Sequence, residues 1–419
     1  MKTFLGISSF QVLAVFRRGL FFSYLTIYLR HYLGLSVTAT TLFATLPMVV
    51  NVLAQRYIWG ELSDRLQKRR LLIIWGEILG GAGTILLFYI HRIPADLVTA
   101  GWVIIAGMSV IEIFWSMSNI GWSALISDIY KQGNRSRIMG RLESMGGMGR
   151  IAGVLAGGLL YDRMGTSFEG WGFYEGSLFW ISGIIMLLSI FPMFLVPEGG
   201  TGPDGQQSKA PPGRPSGVPG IFFIFIAAMT LIHFGRNAIA VTLPQYLTLD
   251  TGLDMSALTL SHVVNIRSVG LIVTGFFAGA LCRRFGDRLT LGISSLAAAL
   301  ALFIIGQTTQ LAWICLSSFL MGFSEVLIIA SSYELASAYI PPGRRGKYFA
   351  LFNATFFLSW GVAATLIAGP VTDGLLAMGK TEPQAYMASF NACGLVTLAG
   401  VIVLMGMYHR EKKKTPAGS

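Results

Sequence analysis

Charged residues are scarce in this sequence. Asp, Glu, Lys and Arg make up only 12% of the 419 residues, and 53% are hydrophobic. A soluble domain needs about 25% charged residues to cover its surface. The composition therefore excludes an ordinary soluble fold, and a mean hydropathy of +0.64 points the same way.

Cysteines are also few, and the sequence has no nucleotide-binding motif. The three cysteines, Cys282, Cys315 and Cys393, lie in or beside apolar runs without paired spacing, which predicts neither a disulfide framework nor a metal site. A glycine-dense run at 146–149 has no preceding strand and no Lys-Ser/Thr, so it is not a phosphate-binding loop. We expect no cofactor, and an activity driven directly by ATP is disfavoured.

Long apolar runs are present along the whole chain. A helix needs about 20 apolar residues to cross a bilayer, and in lipid each backbone polar group must be bonded within the segment. The sequence predicts an all-α membrane protein with twelve transmembrane helices. The predicted spans are 7–32, 40–59, 71–90, 97–127, 138–161, 176–196, 221–247, 257–281, 289–308, 311–338, 348–371 and 385–408.

The net charge of +11 is distributed in a way that indicates a membrane rather than nucleic acid. Most basic residues fall at one set of alternating span ends, and loops with such an excess face the cytoplasm. This pattern predicts cytoplasmic termini and a location in the plasma membrane, which in a bacterium is the inner membrane. The lipid bilayer is the expected partner.

The chain divides into two similar halves. Residues 197–220 are rich in Pro, Gly and Ser and predict a cytoplasmic linker between bundles at 1–196 and 221–408, with a basic cytoplasmic tail at 409–419. Phe16, Arg18, Tyr28 and Leu29 recur at identical spacing as Phe234, Arg236, Tyr246 and Leu247. Such repeats predict two pseudo-symmetric six-helix bundles.

A basic turn at 60–70 separates the second and third spans. It contains Gly60, Asp64, Arg65 and Arg69, and a degraded copy at 279–288 has Arg283 where the first copy has Asp64. The turn resembles the signature loop of the major facilitator superfamily of transporters, and this resemblance extends over essentially the whole chain. It implies a major facilitator fold, transport by alternating access, and a gating role for this loop.

Glycines in the fifth span form a second motif. Gly149, Gly153 and Gly157 follow a spacing that resembles the antiporter motif of drug:proton exchangers in the same superfamily, with Val154 in place of its proline. The resemblance implies that these glycines belong to the gating machinery. Ordinary close packing of small residues is the alternative. The fourth span also departs from the exchanger pattern, because it carries Ser109 and Glu112 where an arginine is usual.

Charged residues within the spans are the candidate site residues. An ionisable group at the bilayer centre costs at least about 2.5–3.5 kcal/mol, so it usually faces a cavity or a partner. Arg18 and Arg236 occupy equivalent positions in the two halves, and the resemblance places their helices at the central cavity. We expect the substrate to contact Arg18, Arg236, Arg267, Tyr246 and Trp115. Structural ion pairs between helices remain the alternative.

Proton coupling requires a group that gains and loses a proton as access alternates. Glu112 and Glu325 lie in apolar stretches of the fourth and tenth spans, and His233 precedes Arg236 by three residues on one helix face. Glu112 is the preferred coupling residue, with Arg150 as one candidate partner. A packing histidine is the alternative for His233.

Together these features predict a monomeric secondary transporter that exports an amphipathic, anionic or zwitterionic small molecule in exchange for protons. A proton-coupled symporter that imports a small organic anion is the alternative. A membrane enzyme or receptor lacks support, because no nucleophile–base or metal-ligand spacing occurs in the sequence.

Overall fold

The computed structural model describes residues 2–130, 132–199, 220–339 and 345–414, with no β-strand among them. Within these ranges, twelve helices follow the predicted spans and confirm the expected fold. They are α1 Lys2–Tyr32, α2 Val37–Leu66, α3 Arg69–Ile90, α4 Leu97–Ile129, α5 Gln132–Tyr161, α6 Ser177–Met193, α7 Gly220–Leu247, α8 Ala257–Phe285, α9 Asp287–Ile305, α10 Leu311–Tyr339, α11 Arg345–Ala377 and α12 Glu382–Lys414.

Two helix starts show how local sequence sets the boundaries. Ser36 precedes α2, and its side chain accepts a hydrogen bond from the backbone N–H of Ala39. Asp96 precedes α4 and accepts 2.7 Å hydrogen bonds from the hydroxyl and the backbone N–H of Thr99. These bonds hold the pKa of the Asp96 carboxyl below its ordinary value. Both caps satisfy backbone donors that a helix start leaves unpaired.

The two polar segments predicted from the sequence have different outcomes. Most of the predicted linker, residues 200–219, lies outside the described part of the chain. The basic tail was expected to begin after the last span at 408, but α12 continues as helix to Lys414. Helix-forming residues at 409–414 (HREKKK) explain the extension, because Lys, Arg and Glu favour helical structure.

The described residues form two compact units, each with its own apolar core. The first contains α1–α6 and residues Met255–His262, and the second contains α7, the rest of α8 and α9–α12. In the first unit α1 packs on α5 and α6, and α3 packs on α4. In the second, α7 packs on α11 and α12, and α9 packs on α10. The helix pairs therefore recur as the internal sequence repeat predicts.

The three glycines of the fifth span lie against the backbone of α1. A Cβ atom added at Gly149 or Gly153 would collide with the carbonyl oxygens of Val12 and Phe16, respectively. At Gly157, the added atom would lie 2.7 Å from the carbonyl oxygen of Leu20. The glycines of α5 and the α1 carbonyls that they face both recur every four residues, so the two helix backbones lie against each other along a continuous seam. This geometry accounts for the glycines as close packing, and their gating role stays a prediction.

Replacing Gly153 by alanine should lower the stability of the protein by ~1–3 kcal/mol, because α1 and α5 must separate to admit the methyl group. The matched control is Gly406→Ala on α12, where an added Cβ meets nothing within 4 Å. We expect a clear drop in melting temperature for the first variant in detergent, and none for the second. Equal melting temperatures would contradict the seam.

Candidate functional site

Two adjacent arginines of α1 share an aromatic partner in the first unit. The guanidinium carbons of Arg17 and Arg18 lie 4.2 and 4.7 Å from the ring centroid of Trp115 on α4, within cation–π range. Arg17 is only 4% exposed and donates to the sulfur of Met186 at 3.0 Å, whereas Arg18 is exposed. The structure thus brings together the predicted residues Arg18 and Trp115. It adds Arg17, which was not selected from the sequence.

Glu112 is the second buried element of this unit. Its side chain is 6% exposed and accepts a 2.5 Å hydrogen bond from the amide nitrogen of Asn51 on α2. The amide oxygen of Asn51 in turn accepts a hydrogen bond from Gln55 at 2.5 Å. Among the described residues, no basic side chain lies within ion-pair distance of Glu112. Sequence reasoning missed Asn51, although a polar residue within an apolar run was an available signal.

Gln55 also begins a π-helical turn, Gln55–Trp59, in the C-terminal part of α2. The backbone N–H of Gly60 bonds to the carbonyl of Gln55, and an added Cβ at Gly60 would lie 2.8 Å from that oxygen. The indole N–H of Trp59 donates to the carbonyl of Ile113 at 2.6 Å. The π-helical turn thus explains why the signature loop has a glycine at position 60. The hydrogen bond of Trp59 attaches this turn to α4 at Ile113, the residue after Glu112.

Glu77 is a second buried carboxylate in this unit. It is 1% exposed and accepts hydrogen bonds from the hydroxyls of Ser118 at 2.7 Å and Ser189 at 3.5 Å. It also lies within electrostatic range of Arg17. Its hydroxyl partners on α4 and at the end of α6 connect three helices, so Glu77 braces the unit.

The second unit contains a compact charge cluster. Glu325 on α10 contacts Arg267 on α8 through its Oε2 atom, at 2.9 Å from Nη2 and 3.3 Å from Nε. The same oxygen lies 3.3 Å from Nη1 of Arg236, which is fully buried on α7. Arg267 also lies over the ring of Trp360 at 5.3 Å. The structure brings Arg236, Arg267 and Glu325 together, as the ion-pair alternative described.

His233 and Tyr246 occupy different surroundings in the same unit. His233 is 1% exposed, meets the ring of Phe356 edge-on at 5.3 Å, and lies one helical turn before Arg236. Tyr246 is fully buried against Phe390, and its hydroxyl donates to a backbone carbonyl, that of Thr308, at 3.2 Å. Tyr246 therefore has a packing role in this structure, and its contact with substrate stays a prediction.

The signature loop holds the start of α3 in place. Arg69 is 6% exposed; it donates to Asp128 near the end of α4 at 3.3 Å and to the hydroxyl and carbonyl of Ser63. Arg70 pairs with Glu198, which follows α6, at 3.1 Å. Two arginines thus connect α3 to the ends of two other helices.

Other predicted gating residues are less constrained. Arg65 forms an exposed ion pair with Glu61 one turn earlier. The side chain of Asp64 lies outside the described part of the structure. In the degraded second copy Arg283 is exposed, and Arg288 pairs with Glu411 on α12 at 2.9 Å.

Metal-binding groups do not assemble in the described ranges: no three His, Cys, Asp or Glu side chains are placed to hold an ion. The three cysteines are separate free thiols. The buried ionisable groups instead contact one another, aromatic rings, hydroxyls and amides.

Comparison with known sequences identifies the family. The family model described as Major Facilitator Superfamily matches residues 7–227 and 224–419. Over 102 residues the chain is 28% identical to the niacin transporter NiaP of Acinetobacter baylyi, covering 24% of this chain and 23% of that protein. Over 146 residues it is 27% identical to the class G tetracycline resistance protein of Vibrio anguillarum, covering 34% and 32%. The chain thus matches about a third or less of either relative.

Solved structures show the same fold. The nucleoside transporter NupG superimposes with a TM-score of 0.69 at 12% identity, covering 97% of this chain and 99% of that one. A bacterial homologue of the human lysosomal transporter Spinster, in an inward-facing conformation, gives 0.65 at 14% identity, covering 96% and 94%. With the family model matched along both halves, this chain belongs to the Major Facilitator Superfamily and is a membrane transporter.

Proposed function

We propose that the protein is a monomeric secondary transporter that works by alternating access and exports an amphipathic small molecule in exchange for protons. It acts in the plasma membrane, the inner membrane of a bacterium, with both termini in the cytoplasm. The single observation that carries the coupling proposal is the setting of Glu112: a buried carboxyl whose hydrogen-bond partner is the neutral amide of Asn51.

The contrast with Glu325 supports this assignment. A carboxylate held by a cation keeps its negative charge, whereas a buried carboxyl without one can take up a proton at lower cost. Glu325 is bound by Arg267 and contacts Arg236, while Glu112 is held by an amide and has no basic side chain at ion-pair distance in the described ranges. Of the two candidates, Glu112 is therefore better suited to alternate between charged and neutral forms.

Arginine and aromatic side chains support the proposed substrate class. Arg18 is exposed and its guanidinium lies over the buried ring of Trp115, so a charged group and an aromatic ring lie side by side. Guanidinium groups bind carboxylates and phosphates, and aromatic rings bind apolar bodies. A molecule with an anionic or zwitterionic group on an apolar body fits this combination.

Uptake is the second candidate, and the similarity to a niacin transporter favours it, because niacin is a small organic acid. In that case the protein would import a small organic anion together with protons. Counterflow in proteoliposomes across a panel of organic acids and amphipathic drugs, with a pH difference of either sign, distinguishes the two directions.

Glu112→Gln should abolish transport against a substrate gradient but preserve exchange of substrate for substrate. Net transport needs a proton to be carried, whereas exchange does not. Both activities are to be measured in liposomes, with Glu325→Gln as the comparison. If Glu112→Gln still accumulates substrate when a pH difference is applied, Glu112 is not the coupling residue.

Arg18→Lys should weaken substrate binding and leave the melting temperature nearly unchanged, because lysine keeps the charge but loses the planar fork. Arg17→Lys is the matched comparison. Arg17 is buried against Trp115 and Met186, so its loss should lower the melting temperature. Early melting of Arg18→Lys with normal binding would make Arg18 a structural brace.

Asp64→Asn should reduce transport several-fold without loss of folding, if the signature loop closes the cytoplasmic gate as the family resemblance implies. Glu61→Gln is the control, because its exposed pair with Arg65 is worth only about 0.3–0.5 kcal/mol. Transport rates and chromatographic profiles of both variants are compared with wild type. An Asp64→Asn protein that transports at the wild-type rate would rule out the gate role.

A further inference from the structure

The charge cluster of the second unit has one carboxylate for two arginines. The Oε2 atom of Glu325 makes three short contacts with arginine, two from Arg267 and one from Arg236. Arg267 donates to that oxygen from its Nε and Nη2 atoms. These atoms form the edge of a guanidinium that can make two parallel hydrogen bonds to a carboxylate. With both arginines charged and Glu325 ionised, the cluster carries one excess positive charge.

Arg236 also has an edge formed by Nε and Nη2, but the hydrogen-bond donors of this edge are unpaired in the described ranges. Its Nε and Nη2 atoms are buried and have no hydrogen-bond acceptor among the described residues. Its remaining nitrogen, Nη1, makes the 3.3 Å charge contact with Glu325 but no well-directed hydrogen bond. Leaving such donors unpaired in an apolar interior costs more than a hydrogen bond normally contributes. A stable side chain in this position calls for an acceptor.

Two neighbouring side chains on α7, His233 and Asn237, also have, among the described contacts, an unpaired buried atom each. His233, one turn before Arg236, is 1% exposed and its Nδ1 atom has no partner in the described part of the protein. Asn237 is also 1% exposed; its nitrogen donates to Ser359 at 2.6 Å, and its oxygen has no described donor. Three neighbouring polar positions of one helix therefore present unpaired atoms within little more than one turn.

We propose that this place, the Arg236 subsite formed by His233 and Arg236, binds the carboxylate of the transported molecule. The inference rests on the proposed function and assigns the substrate class: a monocarboxylate. The carboxylate accepts from Nε and Nη2 of Arg236, while Glu325 stays on Arg267. One added negative charge neutralises the cluster, whereas a doubly charged phosphate would over-compensate it.

The surroundings determine the rest of the ligand. The ring of Phe356 meets His233 edge-on and also packs against Trp360, whose ring lies under Arg267. These two half-buried aromatic side chains favour an aromatic or otherwise apolar body next to the carboxylate. Glu325 contacts Arg236 through Nη1, so the Nε and Nη2 atoms of Arg236 remain for the substrate carboxylate.

Benzoate and its neutral isostere benzamide are suitable probes. Benzoate should raise the melting temperature of the purified full-length protein in detergent, and benzamide should not. Arg236→Gln should weaken the apparent affinity for benzoate by about tenfold to a hundredfold, as expected for lost hydrogen bonds to a charged group. Arg284→Gln, an exposed arginine near the end of α8, is the matched control and should bind as wild type does.

The variant Glu325→Gln provides a second test of the subsite. Removal of this carboxylate takes away a counter-charge that Arg236 and Arg267 share, so it should lower the melting temperature without ligand, and benzoate should restore it by a larger shift than in wild type. A benzoate response that is the same in wild type and Arg236→Gln, or no rescue of Glu325→Gln, overturns the subsite. Proton-driven transport of other substrates in liposomes would then still support the proposed function, so the two failures are distinguishable.

Discussion

The free-energy cost of burying charge between apolar helices is the constraint on which both halves of this transporter depend. Each buried ionisable group needs a partner, because an unpaired charge in this environment is far more costly than an unpaired hydroxyl. The first half meets the constraint with an indole ring, serine hydroxyls and an amide. The second half meets it with an ion-paired triad. The helices that carry these groups are thereby held in defined rotations about their axes.

The two halves use equivalent positions differently. Arg18 and Arg236 recur at matched positions of α1 and α7, yet Arg18 is exposed over Trp115 and Arg236 is completely buried beside Glu325. Glu112 and Glu325 both lie near the middle of the fourth helix of their half, but only Glu325 is bound by arginine among the described contacts. On our proposals, the first half provides a proton-accepting setting and the second half an anion-accepting one.

Close backbone contact and loop ion pairs complete the first half. The glycine seam lets α5 approach α1, and it leaves little room for side chains between them. At the loop end, Arg69 connects the start of α3 to α4, and Gly60 permits the wide turn whose first residue, Gln55, is hydrogen-bonded to Asn51. Glu112 and the signature loop are therefore linked through a short, continuous piece of α2.

The sequence by itself determined the class and the approximate positions of the twelve spans, because a helix in lipid needs a long apolar run and all its backbone bonds within one segment. It also located the repeats and the candidate charges. Only the tertiary structure decided which charges meet. Neighbours such as Arg17 and Arg18 point about 100° apart on a helix, and spacing along the chain does not say which of them turns inward. The pairing of Glu112 with Asn51, and of Glu325 with two arginines, depends on how separate helices are rotated and packed, which no local pattern encodes.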